Sequence, residues 1–273
     1  MHRTPSTLAL LAVAALAPNT LAQGPLFLST VVDDTLGGVA IDDNGAYATT
    51  LTGSPTSLAV TLASGDLDAL HRTGPDTWLV SSLFNGNFNG TVFDDGDLVE
   101  VNTATGTTTT ILPNSIFTSS APDITGVSIL PNGNYLLSLL GSSNTITTNT
   151  GSLSFTDGDI IEYNPTTLEA SVFLSEADLF DDGDGDVYGI HAFDDGTLLL
   201  TANTDEVISN VSVLDGDAFL YNPATDTAEV VFSEALFAGN ADIDALYFEG
   251  PIPSPGAVAL LGLAFVGARR RRA

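Results

Sequence analysis

The side chains with the clearest capacity for chemistry are carboxylates crowded into one glycine-rich stretch. Residues 181–186 read Asp-Asp-Gly-Asp-Gly-Asp. Alternating aspartates in such a loop offer several hard oxygen ligands, which Ca²⁺ prefers, although Val187 and Phe193 break the EF-hand pattern. The sequence therefore predicts either a Ca²⁺ site or a solvated acidic turn. The ligands of that site would be Asp181, Asp182, Asp184 and Asp186.

Two histidines form a second candidate. His71 and His191 occupy equivalent positions of an internal repeat, where the other two copies hold Ser128 and Tyr247. This pattern predicts either polar side chains lining a central channel or half-buried histidines with satisfied hydrogen bonds. The sequence contains no nucleophile elbow, phosphate loop or histidine pair at zinc spacing, so no catalytic residue is predicted.

The composition narrows the classes of partner. The 273 residues include no Cys, which excludes disulfides and thiolate metal sites, and no Lys. Between residues 23 and 250 there are 34 acidic side chains and one arginine, Arg72. This charge repels nucleic acid and anionic membrane surfaces, and it suits a solvated surface in saline water. We therefore expect no nucleic acid partner, and membrane contact only through the terminal segments.

The elements that must position these residues come from two repeated motifs. Asp-Gly-Asp occurs at 95–97, 157–159 and 215–217, with spacings of 62 and 58 residues. A related set of strands begins at repeated aspartates, which we expect to accept hydrogen bonds from backbone N–H groups. These are Asp66, Asp123, Asp186 and Asp242. With Asn-Gly and Asp-Gly turns between them, the strands form units of four, the size of a propeller blade.

The repeats predict an all-β fold. Three units are clear, at about 66–112, 123–174 and 186–232, and helix is limited to single turns within 175–180 and 233–237. Fragments at both ends of the body would close a ring by pairing N-terminal strands with a C-terminal strand. Counting Gly38–Tyr47 as one more first strand, we predict a β-propeller of about five four-stranded blades. A four-bladed ring or an open β-solenoid is the alternative.

The two ends of the chain predict export. Residues 1–22 combine a weakly basic start, a short apolar run and small residues before Gln23, as a secretory signal peptide does. Residues 23–250 form the repeat domain. Residues 251–273 contain a proline-rich motif, a short apolar helix and an arginine cluster. By the positive-inside bias, the arginines would hold that transmembrane helix with its end on the cytoplasmic side.

This tail resembles the PEP-CTERM sorting signal of bacterial surface proteins, with Ser254 in place of the glutamate. The matching residues are Pro253, Ser254, Pro255, Gly256, Arg269, Arg270, Arg271 and Arg272. The resemblance implies a sorting protease of the exosortase type, transient anchoring in the inner membrane, a final location at the cell surface or outside it, and association with extracellular polysaccharide. The body, over about 36–248, resembles extracellular bacterial β-propeller repeat proteins, which implies location and fold.

Three functions follow as hypotheses. The first is an exported, surface-sorted propeller that acts as a non-enzymatic binding or matrix-associated module. The second is a secreted propeller enzyme, a glycan lyase or hydrolase or a lactonase-like protein. The third is a coat component stabilised by Ca²⁺. Three or more different carboxylate, Asn or His side chains at one channel mouth would favour the enzyme, whereas an apolar or symmetric channel would count against it.

Overall fold

The computed structural model describes residues 24–118, 123–141, 143–183 and 185–251. Within these residues the chain forms four antiparallel sheets of four strands and four two-stranded hairpins. The fold is all-β, as predicted. In the described ranges, helix is limited to α1 (Glu176–Leu179) and two 3₁₀ turns, Asn114–Ile116 and Glu234–Leu236. Single turns within 175–180 and 233–237 were predicted, and both are confirmed.

The strands are numbered in chain order. The N-terminal part contains β1 (Leu26–Thr30), β2 (Asp34–Leu36), β3 (Val39–Ile41), β4 (Gly45–Thr49) and β5 (Ser57–Thr61). Blade 1 contains β6 (Leu67–Gly74), β7 (Thr77–Ser82), β8 (Gly86–Phe88), β9 (Thr91–Phe93), β10 (Leu98–Asn102) and β11 (Thr107–Leu112).

The next two blades repeat this order. Blade 2 contains β12 (Asp123–Ile129), β13 (Tyr135–Leu140), β14 (Asn144–Thr148), β15 (Gly151–Phe155), β16 (Ile160–Asn164) and β17 (Glu169–Leu174). Blade 3 contains β18 (Val187–Ala192), β19 (Leu198–Ala202), β20 (Glu206–Ile208), β21 (Val211–Val213), β22 (Ala218–Asn222) and β23 (Thr227–Phe232). The last strand is β24 (Ile243–Phe248).

The fourth blade closes the ring by joining the two ends of the body. Its strand order is β24-β1-β4-β5, so the C-terminal strand supplies the inner strand and the N-terminal part supplies the other three. Leu26 pairs with Phe248, and Leu28 pairs with Leu246. The predicted closure is confirmed, and it pairs strand edges that would otherwise be exposed.

The count of five blades was wrong, and the four-bladed alternative describes the ring. The error came from Gly38–Tyr47, which we had counted as one more first strand. Val39–Ile41 instead pairs with β2 in a hairpin, and Gly45–Thr49 is the third strand of the closing blade. Because β24 already occupies the inner position, the N-terminal part contributes no inner strand of its own.

The hydrophobic core lies in the four seams between neighbouring blades. Successive side chains of a strand point to opposite faces, so adjacent residues serve different seams. Leu136 belongs to the cluster between blades 2 and 3, whereas Leu137 belongs to the cluster between blades 1 and 2. Leu199 and Leu200 divide in the same way between the two seams of blade 3. The four inner strands pack against one another around the axis, where polar side chains gather.

Candidate functional site: the two ends of the propeller axis

The inner strands β6, β12, β18 and β24 bring equivalent residues of the four repeats to a common axis. Aspartates at or near the N-terminal ends of these strands meet at one end, which we call the acidic end: Asp66, Asp68, Asp123 and Asp244. Side chains near their C-terminal ends meet at the opposite end, the histidine end: His71, His191 and Tyr247. The repeat therefore builds two chemically different sites from one set of strands.

At the acidic end the carboxyls form two pairs, each of which joins two blades. Asp68 of β6 lies beside Asp123 of β12, and Asp66, just before β6, lies beside Asp244 of β24. Within the described part of the chain, no N–H or hydroxyl group donates to either oxygen of Asp68 or Asp123. A carboxyl can donate only when it is protonated, so a hydrogen bond within either pair requires a proton on one of its two carboxyls.

The surroundings of these carboxyls favour their protonated forms. Asp68 and Asp123 are each 4% exposed. Burial, and then repulsion from Asp123, raises the pKa of Asp68 well above its ordinary value. Burial raises the pKa of Asp123 to about 6. Burial, and then the charge of Asp43, raises the pKa of Asp66 to about 7. Burial also raises the pKa of Asp244 well above its usual range, with Asp66 adding to the effect.

At the histidine end three rings pack against one another across the axis. The ring centroids of His71 and Tyr247 are 5.1 Å apart, and those of His191 and Tyr247 are 4.9 Å apart, both edge to face. The two imidazoles are nearly parallel, with centroids 6.4 Å apart. Phe193 stands edge to face against His191 at 4.8 Å. Together the three axial rings form an aromatic floor.

Both imidazoles of this floor are neutral at physiological pH. Burial lowers the pKa of His71 to about 4, and burial together with His71 lowers the pKa of His191 to about 3. In both rings Nδ1 is buried and has no hydrogen-bond partner among the described residues. The two histidines meet at the axis, and the hydrogen bond expected in the second alternative is not made at Nδ1. An unpartnered buried nitrogen lowers the free energy of unfolding by about 1–3 kcal/mol, so these two positions destabilise the fold.

A cavity of about 620 Å³ opens above this floor. Its wall combines apolar groups with two carboxylates on the turn between β18 and β19. The wall is formed by Ile129, Ala192, Phe193, Asp194, Asp195, Phe248, Gly250 and Pro251. Its volume lies within the range of ligand pockets, about 300–1,000 Å³.

The predicted Ca²⁺ ligands have other partners. The two carboxylate oxygens of Asp181 accept hydrogen bonds from the backbone N–H groups of Ser209 and Asn210, each at 3.1 Å. Asp186 accepts one from the Asn203 side chain at 3.0 Å. Asp182 makes contacts of its own, and Asp184 lies outside the described residues. Among the residues that the structure describes, no group of three or more His, Asp or Glu is arranged to hold a metal ion.

The three Asp-Gly-Asp motifs have a structural role. The second aspartate of each motif accepts a hydrogen bond from the first residue of the helical turn that follows the outer strand. The pairs are Asp97 with Asn114, Asp159 with Glu176, and Asp217 with Glu234. Asp159 and Asp217 use their second oxygen for the loop that precedes the motif. These carboxylates fix the connection from one blade to the next, which is turn chemistry.

The residues predicted to direct export and sorting mostly lie outside the described ranges. These are the signal peptide at 1–22 and the sorting residues Pro253, Ser254, Pro255, Gly256 and Arg269–Arg272. Within the described ranges no helix has both the length and the apolar character needed to cross a membrane.

Sequence reasoning found part of the axis and missed the rest. His71, His191 and Tyr247 were recognised as equivalent positions, and they do meet. The repeated aspartates were expected to accept from backbone N–H groups, but Asp123 has no such donor. The pairing of Asp68 and Asp244 with repeated aspartates was missed. Its signal was available, because both lie two residues after a repeated aspartate and so point to the same side of the inner strand.

The closed ring of four four-stranded blades defines the class of this protein, a four-bladed β-propeller. No protein-family model matches the chain, and neither does any curated protein.

Among solved structures the chain resembles a nidogen/laminin complex, at 7% identity and a TM-score of 0.41. That match covers 82% of this chain and 97% of the other. It also resembles an auxiliary nutrient binding protein from Bacteroides thetaiotaomicron, at 11% identity and a TM-score of 0.35, over 81% of this chain and 41% of that one. The chain thus spans less than half of the second protein. Shared activity does not follow from similarity at this level.

Proposed function

We propose that this protein is an exported, surface-sorted β-propeller that binds a component of the extracellular matrix at the histidine end of its axis. The observation that carries the proposal is the cavity of about 620 Å³ with its floor of His71, His191 and Tyr247. A concave site with aromatic walls and a few polar groups is the usual form of a ligand pocket. The acidic end is a poorer candidate, because its carboxyls are almost wholly buried.

Export and sorting form part of this proposal and rest on the termini alone. The signal-like segment at 1–22 and the PEP-CTERM-like tail support a route through the inner membrane to an exosortase-type enzyme. A reporter fused after residue 22 tests the first step, since it would be exported and shortened. The second step, sorting, is tested by deleting Arg269–Arg272 and following an internal tag in the body. We expect the altered protein to stay in the membrane instead of reaching the surface. Retention of the unaltered protein, or release of the altered one, would contradict the sorting role.

Binding can be measured on residues 24–251. This segment contains every strand of the ring, and β1 pairs with β24, so its ends are tied together. We expect it to bind extracellular polysaccharide from a producing culture in titration calorimetry, and Tyr247→Leu to weaken that binding at least tenfold. Phe84→Leu is the matched control, because Phe84 is an exposed aromatic residue that does not line the cavity. Binding at this cavity would be refuted if both variants lost affinity equally, or if neither variant lost affinity.

A secreted glycan hydrolase or lyase is the second candidate, and one observation favours it. Four ionisable side chains meet at the same mouth: His71, His191, Asp194 and Asp195. Against it, the contacts of the two imidazoles are aromatic rings, whereas a general base needs an orienting hydrogen bond and a pKa near the working pH. Release of reducing ends from the polysaccharide, abolished by His191→Phe, would establish the enzyme and overturn the non-enzymatic role.

A further inference from the structure

We propose that the cavity at the histidine end recognises its ligand through a positively charged organic group, an ammonium or a guanidinium, held between the aromatic floor and the carboxylate rim. This inference rests on the proposed function, because it names the ligand chemistry of the same site. An amine-bearing saccharide is a matrix component with that chemistry.

The first argument is the charge around the cavity. Asp194 and Asp195 are exposed on one wall, and no arginine or lysine lines the cavity among the described residues. Arg72, the one basic side chain between residues 23 and 250, is already paired with Glu249 and donates to the carbonyls of Gly74 and Pro75. A cleft lined by charge of one sign concentrates ligands of the opposite sign, so cations are favoured and anions are repelled.

The second argument is the chemistry of the floor. Aromatic faces attract ammonium and guanidinium groups that lie within about 6 Å of the ring centroid. The two histidines add ring surface without adding positive charge, because their imidazoles are neutral. Nδ1 of both rings is buried, so Nε2 is the ring nitrogen left for a polar contact with a ligand.

The third argument is that this fold already binds a cation in the same way beside the cavity. The guanidinium carbon of Arg72 lies 5.5 Å from the centroid of Phe27 and 5.2 Å from that of Trp78. The Trp78 ring is itself in contact with Tyr247, with centroids 6.3 Å apart. Arg72 is thus a cation held by aromatic faces and by the carboxylate of Glu249. We assign the same arrangement to the cavity, with the ligand as the cation.

The test compares two probes that differ mainly in charge. Residues 24–251 are titrated with a trimer of glucosamine, whose amines are protonated at about pH 6, and with the neutral trimer of N-acetylglucosamine. We expect the cationic trimer to bind at least tenfold more tightly, and the difference to shrink as salt is added. Equal binding of the two trimers would overturn cation recognition and leave the proposed function standing. Failure of both trimers, together with failure of the polysaccharide, would overturn both proposals.

Matched variants separate the cavity from general attraction to an acidic protein. Asp194→Asn should weaken binding of the cationic trimer three- to fivefold, consistent with an exposed charge pair. Asp76→Asn makes the same change on the corresponding turn of blade 1, which does not line the cavity, and should weaken it less than twofold. Tyr247→Leu should cost at least tenfold, with a thermal melt to show that the ring remains folded. Equal effects of Asp194→Asn and Asp76→Asn would mean unspecific attraction and would refute the site.

Discussion

The buried carboxyl pair of Asp68 and Asp123 predicts that this propeller loses stability as the pH rises from about 4 through about 6. The pKa of Asp123 is about 6 in the folded protein, against an ordinary value of 3.8. A group whose pKa is raised by folding stabilises the fold fully below its unfolded pKa, and that contribution is lost as the pH rises through the folded value. The shift of about two units corresponds to about 3 kcal/mol, which belongs to the pair because the charge of each carboxyl affects the titration of the other.

Asp123→Asn isolates this contribution. The amide is neutral at every pH, so the variant avoids the cost of placing a negative charge at a position that is 4% exposed. We expect the free energy of unfolding of the variant, relative to the unaltered protein, to increase by about 3 kcal/mol between about pH 4 and about pH 8. Urea unfolding of residues 24–251 at constant ionic strength measures it, because fixed salt limits the change in repulsion among the surface carboxylates.

Asp76→Asn provides the control, since it removes the same charge from an exposed turn. Its relative free energy of unfolding should vary by no more than about 0.5 kcal/mol over the same pH range. The reasoning is refuted if the two variants show the same pH dependence, because the effect would then reflect net charge. It is also refuted if the unaltered protein gains stability between about pH 5 and about pH 7, since a raised carboxyl pKa predicts a loss there.

Three further predictions concern the histidines, the seams and the acidic loop. The imidazole of His191 should show no protonation by NMR between about pH 8 and about pH 5, because burial lowers its pKa to about 3; a midpoint near 6.5 would contradict this. Gly126→Ala should cost about 2 kcal/mol in urea unfolding, because its Cβ would lie 2.2 Å from the carbonyl oxygen of Tyr188; Gly74→Ala, with 3.5 Å to the nearest atom, should change little, and equal effects would count against tight packing of this seam. Ca²⁺ and Mg²⁺ should raise the melting temperature equally at fixed ionic strength, because backbone N–H groups already occupy the Asp181 carboxylate; a rise with Ca²⁺ alone would instead support the predicted Ca²⁺ site at 181–186.

Most of the fold could be read from the sequence, because its signals are local. Turn residues such as Asn132-Gly133 and the alternation of apolar residues specify strands and hairpins without knowledge of distant contacts. The blade boundaries at 66–112, 123–174 and 186–232 therefore agree with the structure to within a residue. The blade count depends instead on which strand fills the inner position of the last blade. That is decided by the contact of β1 with β24 across the whole chain, which no local pattern encodes.

The candidate site was less predictable, because its properties depend on burial. The spacing of Asp66 and Asp68 places both on one side of the inner strand, but it does not show that Asp68 is buried against Asp123 from the next blade. The neutral state of His191 likewise arises from packing against Tyr247 and Phe193, which belong to different turns and strands. The residue types were visible, but the low dielectric that changes their chemistry appears only when the seams close.

Recurrence along the chain by itself favours a structural role, since blade geometry is shared while a functional residue is usually singular. In a ring the same geometry has another consequence, because equivalent positions on the four inner strands converge on one axis. One polar position repeated in several blades thus becomes a cluster, as the meeting of His71, His191 and Tyr247 shows. The differences within each cluster then set its chemistry. One end of the axis gathers buried carboxyls whose pKa values are raised, and the other presents uncharged rings beside Asp194, the combination that favours a cationic ligand.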